Sequence, residues 1–181
     1  MATIRSQAAA NFEVAIKDAE DLLAHHTAAG HPPPDNAEVL KRAGLVMALT
    51  AWETYVEDRV VESVSARFGA DNGHTSRFMQ AKLTEELKRF HNPTSDKTFH
   101  LFKDYLGVDV IKAWKWLNLE PSDACEKLDA LLKKRGDAVH RSRRPHVGPT
   151  PPHLVKKEEL EKAIRFLKEL VLATERALAV S

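Results

Sequence analysis

Apolar residues in this chain return every three or four positions almost from end to end, and almost no segment alternates with period two. That pattern puts one apolar stripe on each of a series of helices and offers no half-buried strand. The interruptions are local. GHPPPDN (30–36), GADNGH (69–74), HNPTSDK (91–97) and RRPHVGPTPPH (143–153) concentrate proline, glycine and asparagine, the residues that end helices and form turns. The spacing predicts a first helix over Ile4 to Ala29, with Phe12, Ala15, Ile16, Ala19, Leu22 and Leu23 as its stripe. Asp35 and Glu38 resemble a capping box that opens a second helix over Asn36 to Phe68. A third helix is expected over Ser76 to Phe90. A short fourth one, capped by Ser95 or Asp96, runs through Tyr105. A fifth follows Pro121, capped by Ser122, and reaches Ser142. The last spans Lys156 to Ala179. Read together, these give an all-α fold: residues 1–181 as a single bundle of four main helices plus short ones.

Charge is balanced overall, with 27 basic and 26 acidic residues. It is uneven in one place. KKRGDAVHRSRR (133–144) holds six basic residues and one acid, a local +5 against −4 for the rest. Cys125 is the sole cysteine, so no internal disulfide can form and a reducing, cytoplasmic setting is expected. No run approaches the roughly 20 apolar residues of a membrane span. LEKAIRFLKELVLATERALAV (160–180) carries charges at helical spacing throughout, so no membrane association is expected. The nine histidines form no HExxH pattern and have no cysteine partners, and no glycine-rich phosphate loop occurs. No metal and no cofactor are expected.

Two charges fall where a helix should be apolar. On the fifth helix, with Leu128 at zero, Ala124, Leu131, Leu132 and Val139 lie within about 60° and Ala138 slightly further round. Arg135 falls at about −20°, near the stripe's centre. On the second helix, with Leu49 at zero, Val46, Trp52, Val56, Val60 and Val64 cluster within about 60°, and Glu53 falls at about 40°. The same stripe extends to Ala43. A guanidinium in a stripe is costly unless paired or facing a cleft. The economical inference is that Arg135 and Glu53 pair or share a polar pocket. Asp137 stands three residues before His140, where it can orient the imidazole. Arg135 and His140 lie about 140° apart on a straight helix. Either the helix distorts near Gly136 or a second chain completes the site. Plainer readings stand beside these: a structural ion pair, a histidine capping a helix end, and a solvated basic run.

RGDAVH (135–140) resembles the Arg-four-to-six-residues-His motif of the HEPN superfamily. LTAWETYVEDRVVE (49–62) is similar to the long Trp–Glu-bearing helix of the RiboL-PSP type of HEPN domain. FHNPTSDKTFHLFKDYLGVDVIKAWKW (90–116) resembles that group's middle segment. The resemblance covers about Ala37 to Ala177. It implies an all-α up-and-down bundle that is often a homodimer, with Arg and His of two protomers lining a cleft that cleaves RNA without metal. Carried over, Arg135 holds the scissile phosphate, His140 acts on the 2′-hydroxyl or the leaving oxygen, Asp137 supports His140, and Glu53 holds Arg135. Lys133, Lys134, Arg141, Arg143 and Arg144 then bind RNA. The resemblance also admits a toxin or defence effector with an antitoxin partner. One departure is Gly136, because the residue after the motif arginine is commonly asparagine. Two other readings are kept: a non-catalytic RNA- or nucleotide-binding module, and a structural dimerisation bundle.

Overall fold

The helical periodicity is realised as six α-helices in the computed structural model, which describes residues 6–68, 73–117, 119–140 and 155–179, with His140 described by its backbone only. They are α1 (Gln7–Ala28), α2 (Glu38–Phe68), α3 (His74–Leu87), α4 (Ser95–Leu106), α5 (Pro121–His140) and α6 (Lys157–Ala179). Short 3-10 turns at Asp35–Ala37 and Ile111–Ala113 complete the order, and among the described residues there is no strand. The fold is all-α, as the periodicity requires.

Local chemistry explains the boundaries. The Ser6 hydroxyl accepts the Ala9 amide at 3.0 Å and starts α1. The Glu62 carboxylate on α2 accepts the Gln7 and Ala8 amides, each at 3.1 Å, so an acid meets the positive end of α1. Gly107 ends α4 at φ 74°, the left-handed region where glycine carries no side-chain penalty. Two predicted caps move. Thr94, not Ser95 or Asp96, caps α4 by accepting the Lys97 amide at 3.3 Å. Pro121 is the first residue of α5, so Ser122 lies inside the first turn. The third helix stops at Leu87, short of Phe90. The expected ends at Ile4 and Ser142, and the 143–153 connection up to residue 154, lie outside the described residues.

α2 is central. It lies antiparallel to α1, with Phe12 and Tyr55 rings 6.0 Å apart, and α6 runs beside it in the same direction. At one end of that pair, a Cβ built on Gly44 meets Leu160 at 2.8 Å, so glycine there lets the two helices approach. At the other, Arg59 Nε donates to Glu175 at 2.8 Å. Because α2 is covered from several sides, its buried face is wider than one stripe. Gly44, Leu45, Ala48, Ala51 and Tyr55 are buried, while the predicted Ala43 and Val46 are only half-buried. Trp52 and Trp114 are fully buried and meet edge to face at 6.0 Å. The Trp114 indole donates to Thr174 at 3.0 Å. On α5, Ala124, Leu128 and Leu132 are buried as expected, but Val139 is 53% exposed: the stripe outruns what the rest of the chain covers. No helix of the described residues is long and apolar enough to cross a membrane.

Candidate functional site

The site begins at neighbouring residues of α2. Trp52 points into the core, and its indole N–H donates to the Pro93 carbonyl at 3.2 Å. Glu53, beside it, is half-buried. One carboxylate oxygen, Oε1, accepts the Asn92 backbone N–H at 3.3 Å. Asn92 has φ 60°, a left-handed conformation that asparagine tolerates better than most residues. The His-Asn-Pro turn is thus fastened to α2 by a tryptophan and a glutamate side by side. It is fastened to α5 as well: Ser95 donates its backbone N–H and its hydroxyl to the two oxygens of Asp129, each at 2.8 Å.

Arg135 closes this arrangement less than two turns beyond Asp129 on the same helix. Its Nη1 donates to the other oxygen of Glu53, Oε2, at 2.7 Å, with 23% and 15% of the two side chains exposed. The inference that a stripe arginine meets a stripe glutamate is therefore correct in geometry. A guanidinium carries five N–H donors, and this bond uses one. The carboxylate fixes the cation's place, while its exposure leaves it within reach of an anion from solvent.

Two neighbours were not singled out by the sequence. His91 Nδ1 lies 3.9 Å from Glu53 Oε1, with its side chain 78% exposed. Glu57, one turn along α2, has its carboxyl pushed above the usual range, first by burial and then by the Glu53 charge, with His91 acting the other way. The i, i+4 spacing of Glu53 and Glu57 was the available signal. The turn's docking was not readable, because it depends on packing between distant segments.

The remaining candidates separate. Asp137 is half-buried and has an interaction of its own. His140 is the last residue of α5, and its side chain is outside the description. Helix α5 runs unbroken through Gly136, so of the two alternatives, a local break of the helix there is not seen. Lys133 is exposed. Lys134 donates to Glu159 at 2.6 Å; burial raises the Glu159 carboxyl, but this bond and the Lys156 amide bring it below its usual value. Any phosphate taking Lys134 competes with that carboxylate. Arg141, Arg143 and Arg144 lie outside the described residues. Among the described residues, no group of three or more His, Cys, Asp or Glu side chains is placed to hold a metal ion.

The RiboL-PSP-HEPN family model matches residues 11–180, nearly the whole chain. No curated protein and no solved structure matches it.

Proposed function

We propose that this chain, which belongs to the RiboL-PSP-HEPN family, is an endoribonuclease that cleaves RNA without a metal ion at a site shared by two protomers. The single observation carrying this reading is the Arg135–Glu53 bond. It holds a cation in an otherwise apolar helix face, partly exposed, at the position matching the family's motif arginine. Arg135 binds the scissile phosphate and stabilises the charge that develops on it. His140, oriented by Asp137, takes the proton from the ribose 2′-hydroxyl or delivers one to the leaving oxygen. The 2′-oxygen bonds to phosphorus, the 5′-oxygen leaves, and a 2′,3′-cyclic phosphate remains. Glu53 is a positioning residue. Lys133, Lys134, Arg141, Arg143 and Arg144 guide the strand.

The two-protomer site rests on the unbroken α5. A straight helix keeps Arg135 and His140 about 140° apart, so two copies across a two-fold axis supply both groups to one phosphate. We read residues 1–181 as one domain, acting in the cytoplasm, with a toxin or defence role and an antitoxin as a further partner. The second reading, a binding module without turnover, is favoured by Gly136 in place of the usual polar residue.

The test is a time course of purified protein on mixed cellular RNA with excess EDTA, beside folded His140→Ala and Arg135→Ala. Cleavage by wild type alone is the expected result. Equal cleavage by all three removes the site assignment, and no cleavage by any favours the binding module.

A further inference from the structure

A second cationic feature lies on the other flank of α5, along its seam with α6. The two helices are antiparallel there: Lys134 reaches Glu159 near one end, and Lys127 lies over the Phe166 ring, 4.7 Å from its centroid, further along. The seam holds a groove of about 640 Å³ walled by Trp116, Leu117 and Phe166, with Lys127, Lys162 and Arg165 on its rim. Lys127 and Lys162 also line the adjoining depression beside Lys134 and Glu159, so the two share a wall.

The charge in this seam is not balanced. Several other cations on or near these helices have carboxylates: Lys115 has Glu120, Lys134 has Glu159, Lys157 has Glu161 and Lys168 has Glu20. Among the described residues, Lys127, Lys162 and Arg165 have none within 4.0 Å, although Glu169 stands on the groove's edge. Lost hydration, and then the charges of Lys162 and Arg165, lower the pKa of Lys127. Three cations gathered without a direct ion pair repel one another, and an anion between them lowers that cost. The floor beneath them is aromatic, with Trp116 and Phe166 rings 5.8 Å apart, and Trp116 is half-exposed. A concave trough of cations with a flat, part-exposed ring suits a phosphate chain that carries flat bases. A planar membrane does not enter it.

We propose that the α5–α6 seam is a second RNA site, binding single-stranded RNA by its phosphates on Lys127, Lys162 and Arg165 with a base against Trp116. It rests on the nuclease reading for its biological sense, not for its binding chemistry. Lys127 lies eight residues before Arg135, about 12 Å along the helix. A strand in the seam therefore reaches the end of α5 that carries Arg135 within a few nucleotides, and the seam sets which strands are presented.

The test uses the full chain and an uncleavable 2′-O-methyl single strand, followed by fluorescence anisotropy across a salt series. Lys162 and Arg165 are exposed, so Lys162→Gln with Arg165→Gln leaves the fold intact, checked by thermal unfolding. The expected result is weaker binding and a slope of log affinity against log salt shallower by about 1.4, from roughly 0.7 per phosphate contact. Trp116→Ala is expected to weaken binding about fivefold or more with the slope unchanged. Wild-type affinity and slope in both variants overturn the proposal. So does loss of inorganic polyphosphate binding in the charge variant with Trp116→Ala silent, which makes the seam a general anion site. The two readings fail separately. If wild type cleaves nothing but seam variants lose binding, the nuclease reading falls and the seam stands. If Arg135→Ala stops cleavage while seam variants bind and cleave as wild type, the seam falls.

Discussion

The Arg135–Glu53 bond gives the sharpest energetic prediction. At about 4 Å between charge centres and an effective dielectric near 20, the gross attraction is roughly 4 kcal/mol. Desolvation and the residual exposure of 23% and 15% offset much of it. Exposed pairs contribute about 0–1 kcal/mol, and hydrogen bonds to charged groups about 1.5–3 kcal/mol. This pair lies between, at a coupling of about 1–1.5 kcal/mol. The single changes differ for a structural reason. Arg135→Ala leaves a half-buried carboxylate still bonded to the Asn92 N–H, a cost of about 2 kcal/mol. Glu53→Ala loses that turn bond too, about 1 kcal/mol more, slightly eased by relieving Glu57. The assay is urea unfolding at pH 7 of wild type, both single variants and the double, at low and high salt. The double variant is expected to cost less than the sum by the coupling energy, and the difference to shrink only modestly with salt. A coupling within the ordinary additivity error of about 0.3–0.5 kcal/mol refutes the claim that Glu53 holds Arg135.

Three further outcomes follow from other sites. A Cβ built on Gly136 meets nothing within 4 Å, so Gly136→Ala is expected to stabilise the fold by about 0.5–1 kcal/mol and raise Tm by a few degrees; a lower Tm contradicts the straight, uncrowded helix seen there. The folded Glu57 carboxyl is raised, so its stabilising contribution is present in acid and lost as pH rises through that raised value. Glu57→Gln is therefore expected to be more stable than wild type at neutral pH, with the gain vanishing below the ordinary carboxylate range; a pH-independent difference excludes ionisation as its cause. Burial raises the Cys125 thiol despite the Ser95 hydrogen bond, so iodoacetamide is expected to modify it more slowly than a free thiol until the chain is unfolded; equal rates contradict this.

The sequence exposed the pair because a charge inside an apolar sector needs no tertiary information to be noticed. Glu53 and Arg135 each stood out on a single helix, and their meeting followed from there being two such charges in one bundle. What stayed hidden depends on contacts between segments. Ser95 looked like a cap, yet its hydroxyl serves Asp129 on α5 while Thr94 does the capping. The pairing of a serine with an aspartate 34 residues away has no local signature. Ala43 and Val46 were placed in a stripe that proved too narrow, because a helix packed on several sides buries more than one line of residues. The seam cations were equally invisible. Lys127 and Lys162 look like ordinary surface lysines until the register of α5 against α6 brings them to one groove.

Glu53 divides its two oxygens between two tasks, and that division bears on mechanism. Oε2 takes Arg135, while Oε1 holds the left-handed Asn92. The turn it closes leads directly into Ser95, whose two bonds to Asp129 hold the helix that carries Arg135. The guanidinium is thus tethered twice to the same turn, once through Glu53 and once through its own helix. A phosphate arriving at Arg135 can share or displace the Oε2 contact without opening the turn, because the Asn92 and Asp129 bonds remain. The arrangement keeps the cation in place through changes in its own pairing, which is what the phosphate-holding role proposed for Arg135 requires. Glu53→Gln isolates this function, since the amide oxygen can still accept the Asn92 N–H. Its expected signature is an intact turn, a stability lowered by no more than roughly the pair's coupling energy because the Asn92 bond is kept, and, on the proposed nuclease reading, weakened cleavage.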